Sequence, residues 1–109
     1  MTFQEMFSQV KAMLSDVDVS AIADHLAYQF RITGEAEGVF YAEVKDRTLH
    51  VEPYSYNDYD VQLTCSADTL FKLASGKLDP ILAVTLGKLK VEGDIPKALK
   101  LKEFLGRRR

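Results

Sequence analysis

Two histidines, one cysteine and a tight acidic cluster are the side chains of this 109-residue chain best suited to bond chemistry. His25 and His50 fall on outward positions of two different strand-like stretches, with no cysteine or paired carboxylate at ligand spacing. A structural metal site needs about four ligands, so none is expected. Cys65 alternates inward with Val61 and Leu63, where a thiol behaves as a small buried hydrophobe. A nucleophile also needs a base within reach, and neither histidine faces its side. Asn57, Asp58 and Asp60 stand among Tyr54, Tyr56 and Tyr59, but without the loop length and terminal bidentate Glu of a calcium site. Turn chemistry accounts for the Asn and Asp, and the tyrosines can bury their rings while keeping hydroxyls wet. Neither Gly34 with Gly38 nor Gly87 with Gly93 follows the strand–GxxxxGK–helix order of a phosphate loop. No catalytic residue, metal or cofactor is expected.

What remains is apolar, and it centres on residues 70–93. Within them, residues 81–86 are apolar except for Thr85, a run far short of the about 20 residues that span a bilayer. Asp79 offers an N-cap acceptor and Pro80 a φ suited to the first helical position, so a short helix starts there and Gly87 ends it. A helix apolar on all sides must be covered on all sides, by its own protein or by something the protein holds.

The other elements follow from periodicity. Thr2 and Glu5 have capping-box spacing, and Phe3, Met6, Phe7, Val10, Met13 and Leu14 recur on one helical face over about 2–15. A short helical piece is expected near 20–24. From His25 the period becomes two: Leu26, Tyr28, Phe30 and Ile32 turn inward and Gln29, Arg31 and Thr33 outward. Phe40, Ala42 and Val44 repeat the scheme, then Leu49 and Val51, then Val61, Leu63 and Cys65, then Leu89 and Val91. Asp46 and Arg47 make a tight connection; without glycine, a type I′ turn there is strained or the loop is longer. Five strands with one wet face each require helices on a single face. Ser66 or Asp68 begins a helix closed by Gly76, and Asp94 with Pro96 begins the last one, ending before Gly106. The expectation is an α+β fold: a five-stranded, mainly antiparallel sheet with helices on one face, joined through a polar aromatic crossover at 54–60.

The totals agree with one domain over 1–109, its sheet and helices at 23–106 and a basic tail at 107–109. A chain this long buries roughly two-thirds of its unfolded surface, and 47% hydrophobic with 28% charged residues is globular composition. The lone Cys65 and the polar, periodic start of the chain lead us to expect a cytoplasmic protein, and the GRRR ending lacks a peroxisomal address. A net charge of −2 argues against nucleic acid as partner. From Lys88 onward eight basic residues face three acidic ones, so this end carries +5 and the rest −7. Either it makes transient contact with an anionic membrane, or it is a solvated face complementing the helix dipole.

The phrases LASGKLDP, GKLKVEGD and ALKL, preceded by GVFYAEVKD, LHVEPY and YDVQLTCSADTL in the same order, resemble the sterol carrier protein family, type two, over roughly 23–105. The family usually has Gly where Arg47 stands. Periodicity alone leaves Leu70, Phe71, Leu73, Ile81, Leu82, Val84, Leu86, Leu101, Phe104 and Leu105, facing Phe30, Ile32, Phe40 and Leu63, as a filled core. The resemblance implies instead that some of them line a hydrophobic tunnel for a fatty acid, a fatty acyl derivative, a sterol-like or an isoprenoid lipid. It implies binding, with transfer, and no catalysis. The alternative is an accessory interaction subunit for an enzyme of lipid or quinone metabolism, its protein partner unknown. At about 24 cal/mol per Å³, an empty pocket of about 300 Å³ would cost roughly 7 kcal/mol, against a total stability of about 5–15. Such a pocket is occupied, wet or partly collapsed.

Overall fold

A computed structural model of the chain describes residues 1–106, and the tail expected at 107–109 lies outside the described residues. In chain order the elements are α1 (Phe3–Leu14), β1 (Leu26–Thr33), β2 (Gly38–Lys45), β3 (Thr48–Glu52), β4 (Val61–Ser66), α2 (Ala67–Ala74), α3 (Pro80–Thr85), β5 (Lys90–Gly93) and α4 (Ile95–Gly106). The helix starts are set by side chains that satisfy free N–H groups. Glu5 N donates to Thr2 Oγ1 at 3.1 Å while Thr2 N donates to the Glu5 carboxylate at 3.0 Å, a complete capping box. Thr69 N donates to Ser66 Oγ at 3.2 Å, Ile81 N to Asp79 Oδ1 at 2.7 Å and Lys97 N to Asp94 Oδ1 at 3.1 Å.

The sheet runs β3-β2-β1-β4-β5. The β1–β4 pairing is parallel, and β1–β2, β2–β3 and β4–β5 are antiparallel. Register carries the inward rows across the strands. Phe30 lies beside Phe40 and Leu63, Tyr28 beside Ala42 and Val61, and Leu63 beside Val91. The Phe30 and Phe40 rings stack at 4.8 Å, and Phe7 of α1 meets Phe40 edge-on at 5.5 Å. Tyr28 packs on Phe104 of α4 and donates its hydroxyl to the Lys97 carbonyl at 2.7 Å. The fold is α+β with its core between the sheet and the helices.

Two local expectations are corrected, and the choice left open at the hairpin is decided. Residues 20–24 form a turn and irregular chain in place of a helical piece: Ile22 N donates to the Val19 carbonyl at 2.9 Å, and Ile22 is the one buried side chain of the segment, too little apolar surface to hold a helix against the core. The hairpin between β2 and β3 is two residues long, with Asp46 and Arg47 at φ 52° and 60°. It is the twist-matched primed turn built without glycine, so the strained option holds. The outward face of the sheet is also less wet than its alternation suggests. Gln29 and Glu43 are buried there, because the 54–60 crossover lies over them. Tyr56 N donates to Gln29 Oε1 and the Tyr56 hydroxyl to Glu43 Oε2, both at 2.8 Å. The crossover ends at Asp60, which accepts from Ala27 N at 2.9 Å and pairs with Lys97 at 3.0 Å. At the far edge β5 stops at Gly93, whose φ of 116° favours glycine and where a Cβ would collide with the Asp60 carbonyl oxygen.

Candidate functional site

The thirteen residues offered as lining divide into two groups. Phe30, Ile32, Phe40, Leu63, Leu70, Leu73, Leu101, Phe104 and Leu105 are all buried within one packed cluster that also takes in Met6, Phe7 and Val10 of α1. They hold the chain together. Ile81, Leu82, Val84 and Leu86 are 46–55% exposed, and Ala83 is the buried residue of α3. Of the two covers expected for this helix, the protein's own packing supplies little. The physical reason is that α3 rests against α4 alone among its strong helix contacts, so Ala83 is covered and Ile81, Leu82, Val84 and Leu86 stay open.

Between these two helices and β5 lies an open apolar groove of about 230 Å³. Pro80, Ile81, Val84 and Thr85 line one wall, Ile95, Ala98, Leu99, Leu101 and Lys102 the other, with Val91 of β5 below. Ile95 and Leu99 are 56% and 62% exposed. The structure therefore brings Ile81, Val84 and Leu101 together at this groove, leaves Leu82 and Leu86 outside its lining, and places the remaining expected residues in the core. Ile95, Ala98 and Leu99 were not among the expected residues, although their signal is in the sequence. Their spacing is a second apolar stripe on α4, beside the stripe of Leu101, Phe104 and Leu105 that packs inward. The groove's depth ends at Leu101, which belongs to both. At its rim Lys102 pairs with Asp79 at 2.9 Å, joining the start of α3 to α4.

The groups with chemical potential are kept apart from this groove. Burial pushes the Cys65 thiol up to about 12, so it is protonated at neutral pH and carries no thiolate. His25, Glu43 and Tyr56 meet on the opposite face of the sheet, where Glu43 Oε2 lies 2.6 Å from His25 Nε2 and accepts from Tyr56. Burial opposes the charge on Glu43, but the hydrogen bonds from His25 and Tyr56 outweigh it and hold the carboxyl below its usual value. The same bond pushes the Tyr56 hydroxyl up to about 12. Tyr56 is thus a donor fastened to a carboxylate, the opposite of an activated phenol. Asp60, read as turn chemistry, is an anchor for backbone and Lys97. Among the described residues no group of three or more His, Cys, Asp or Glu is placed to hold a metal ion, and no helix is long and apolar enough to cross a membrane.

A model of the SCP-2 sterol transfer family matches residues 7–106. The chain is 36% identical over 105 residues to hydroxysteroid dehydrogenase-like protein 2 of Mus musculus, covering 94% of this chain and 21% of that protein. It thus spans about a fifth of the length of that relative. Among solved structures, sterol carrier protein-2 of Aedes aegypti in complex with a C16 fatty acid aligns with a TM-score of 0.64 at 22% identity, covering 100% of this chain and 98% of that one. The sec-alkylsulfatase Pisa1 of Pseudomonas sp. aligns with a TM-score of 0.75 at 19% identity, covering 92% of this chain and 16% of the sulfatase.

Proposed function

The chain belongs to the SCP-2 sterol transfer family, and from that premise we propose that it binds a hydrophobic lipid between α3 and α4, carries it by burial alone and performs no bond chemistry. One observation carries the reading. Ile81, Val84, Ile95 and Leu99, four large aliphatic side chains, stand about half exposed around a single groove. Each would gain from an apolar guest at about 25 cal/mol per Å² covered. The relative bound to a C16 fatty acid supports the same ligand class.

The groove's volume says how the guest is admitted. At about 230 Å³ it falls below the about 300 Å³ at which ligand sites begin, so a long chain requires α3 to move away from α4. Little opposes that motion: α3 buries Ala83 and is tied by the Asp79–Lys102 pair, an exposed contact that water and salt weaken. In return, 16 carbons buried at about 0.8 kcal/mol per CH₂ supply on the order of 12 kcal/mol, against an association cost of about 4–15. Long chains bind and short ones bind poorly. The test is lipid extraction from the protein as purified, together with titration by fluorescent acyl probes. Co-extracted lipid and saturable probe binding are expected, and absence of both would end the proposal.

A second reading, an interaction unit attached to an enzyme, draws on one observation: the chain matches 21% of a dehydrogenase-like protein and 16% of a sulfatase. In that role the fold would present a surface to a neighbouring catalytic unit of lipid or quinone metabolism. Co-purification with a protein and never with lipid would favour it over the carrier.

A further inference from the structure

The apolar residues of α1 are spent inward: Met6, Phe7, Val10 and Leu14 are all buried. The amphipathic helix at the start of the chain therefore has no free apolar face to offer a surface. In α3 the situation is reversed. Leu82 and Leu86, four positions apart and hence on one side of the helix, are 48% and 55% exposed. Neither lines the groove, so a guest held there would leave both uncovered.

Charge around them narrows what covers them. Lys77 precedes the N-cap Asp79 and Lys88 follows Gly87 at the other end, and among the described residues neither lysine enters an ion pair. Asp79, the acid of this stretch, is occupied by Lys102 and by the first N–H groups of α3. In a chain of net −2 the segment 77–90 holds three lysines against that one acid. By contrast Lys97 and Lys100, basic residues of the last helix, are committed to Asp60 and Asp24. Exposed aliphatic side chains with uncommitted lysines at both ends match an interface in which alkyl groups enter the acyl region and ammonium groups meet phosphates. We propose that α3, through Leu82 and Leu86, is a docking element for an anionic lipid bilayer. This surface is distinct from the groove, and docking through it sets the groove mouth at the membrane.

The test is flotation of the full chain with phosphatidylcholine vesicles, with and without phosphatidylglycerol. The wild type floats with the anionic vesicles and is released by salt. L82E/L86E loses at least about tenfold in apparent affinity, and K77Q/K88Q about 25-fold, near fivefold per lysine. Thermal melts and acyl-probe titration of L82E/L86E stay at wild-type values, which separates failure of docking from failure of the groove. Leu86→Cys carrying an environment-sensitive fluorophore gives a blue shift on anionic vesicles, and the buried Cys65 stays unlabelled. Equal flotation of L82E/L86E, equal capture by neutral vesicles, or no spectral shift would overturn the proposal. Failure of the wild type to float at all would overturn it in favour of a protein partner.

Discussion

α1 and α3 are both rich in apolar side chains and are treated oppositely by the fold. In α1 the apolar residues fall on one face, and Met6, Phe7, Val10 and Leu14 all reach the core. In α3 they surround the helix, and Ala83 alone of its residues is buried. A one-sided pattern tells a helix where to pack. An all-round pattern on six residues cannot be satisfied by one contact, and what is left over becomes surface with a use. Apolar content therefore measures what a segment can bury, while the number of faces it presents decides what it will.

The contrast is broken most directly at its filled end. Phe40 is fully buried between Phe30 and Phe7, so Phe40→Ala is expected to cost about 3–5 kcal/mol in urea unfolding. Little change there would mean that the core is as loose as the groove. At the open end, Val84→Trp is expected to leave stability within about 1 kcal/mol. If its indole displaces three methylenes of a guest, affinity for a C16 acyl probe falls about 50-fold, at about 0.8 kcal/mol each. Equal loss of folding and binding would make the two regions one.

A third test uses the outer face of the sheet, which neither helix touches. Glu43→Gln weakens hydrogen bonds from His25 and Tyr56 and is expected to cost about 1–2 kcal/mol. Because the Glu43 carboxyl is held below its usual 4.5, its stabilisation is fully present above that pH and is lost as pH falls through the folded-state value. Wild-type stability should therefore fall in acid with a steeper slope than the Gln variant, and parallel slopes would remove Glu43 from the account. The smallest effect belongs to the hairpin. Arg47→Gly relieves a left-handed backbone but gives up the bond from Arg47 Nη1 to the Ser20 carbonyl at 3.0 Å. A net gain of about 0.5 kcal/mol is expected, read as a small rise in Tm, with probe binding unchanged.

The sheet and helices were legible because each signal was local and redundant. Alternation from Leu26 to Ile32, repeated in four more segments, fixed which rows face inward, and Ser66, Asp79 and Asp94 marked helix starts that the structure keeps. The site was less legible because periodicity tells which side chains leave water, never how deeply. Phe30 and Ile81 were both offered as lining; one stacks in the core and the other borders a groove. The stripe of Ile95 and Leu99 was overlooked because α4 has two apolar sides and the stronger one, ending in Phe104 and Leu105, absorbed the argument. Val17, Val19 and Ile22 were missed since an irregular segment has no period to detect. Burial of Glu43 depended on where a distant crossover lands, which no local window contains.

The outer strands of the sheet bear on how the molecule behaves in a crowd. β5 is four residues long, carries Lys90 and Glu92 and stops at Gly93, while β3 is five residues long and is followed at once by Pro53. Short, charged, abruptly ended borders make poor templates for another chain's backbone. Concentrating this protein should therefore yield soft clusters that mild detergent disperses, gathered through α3, rather than fibres.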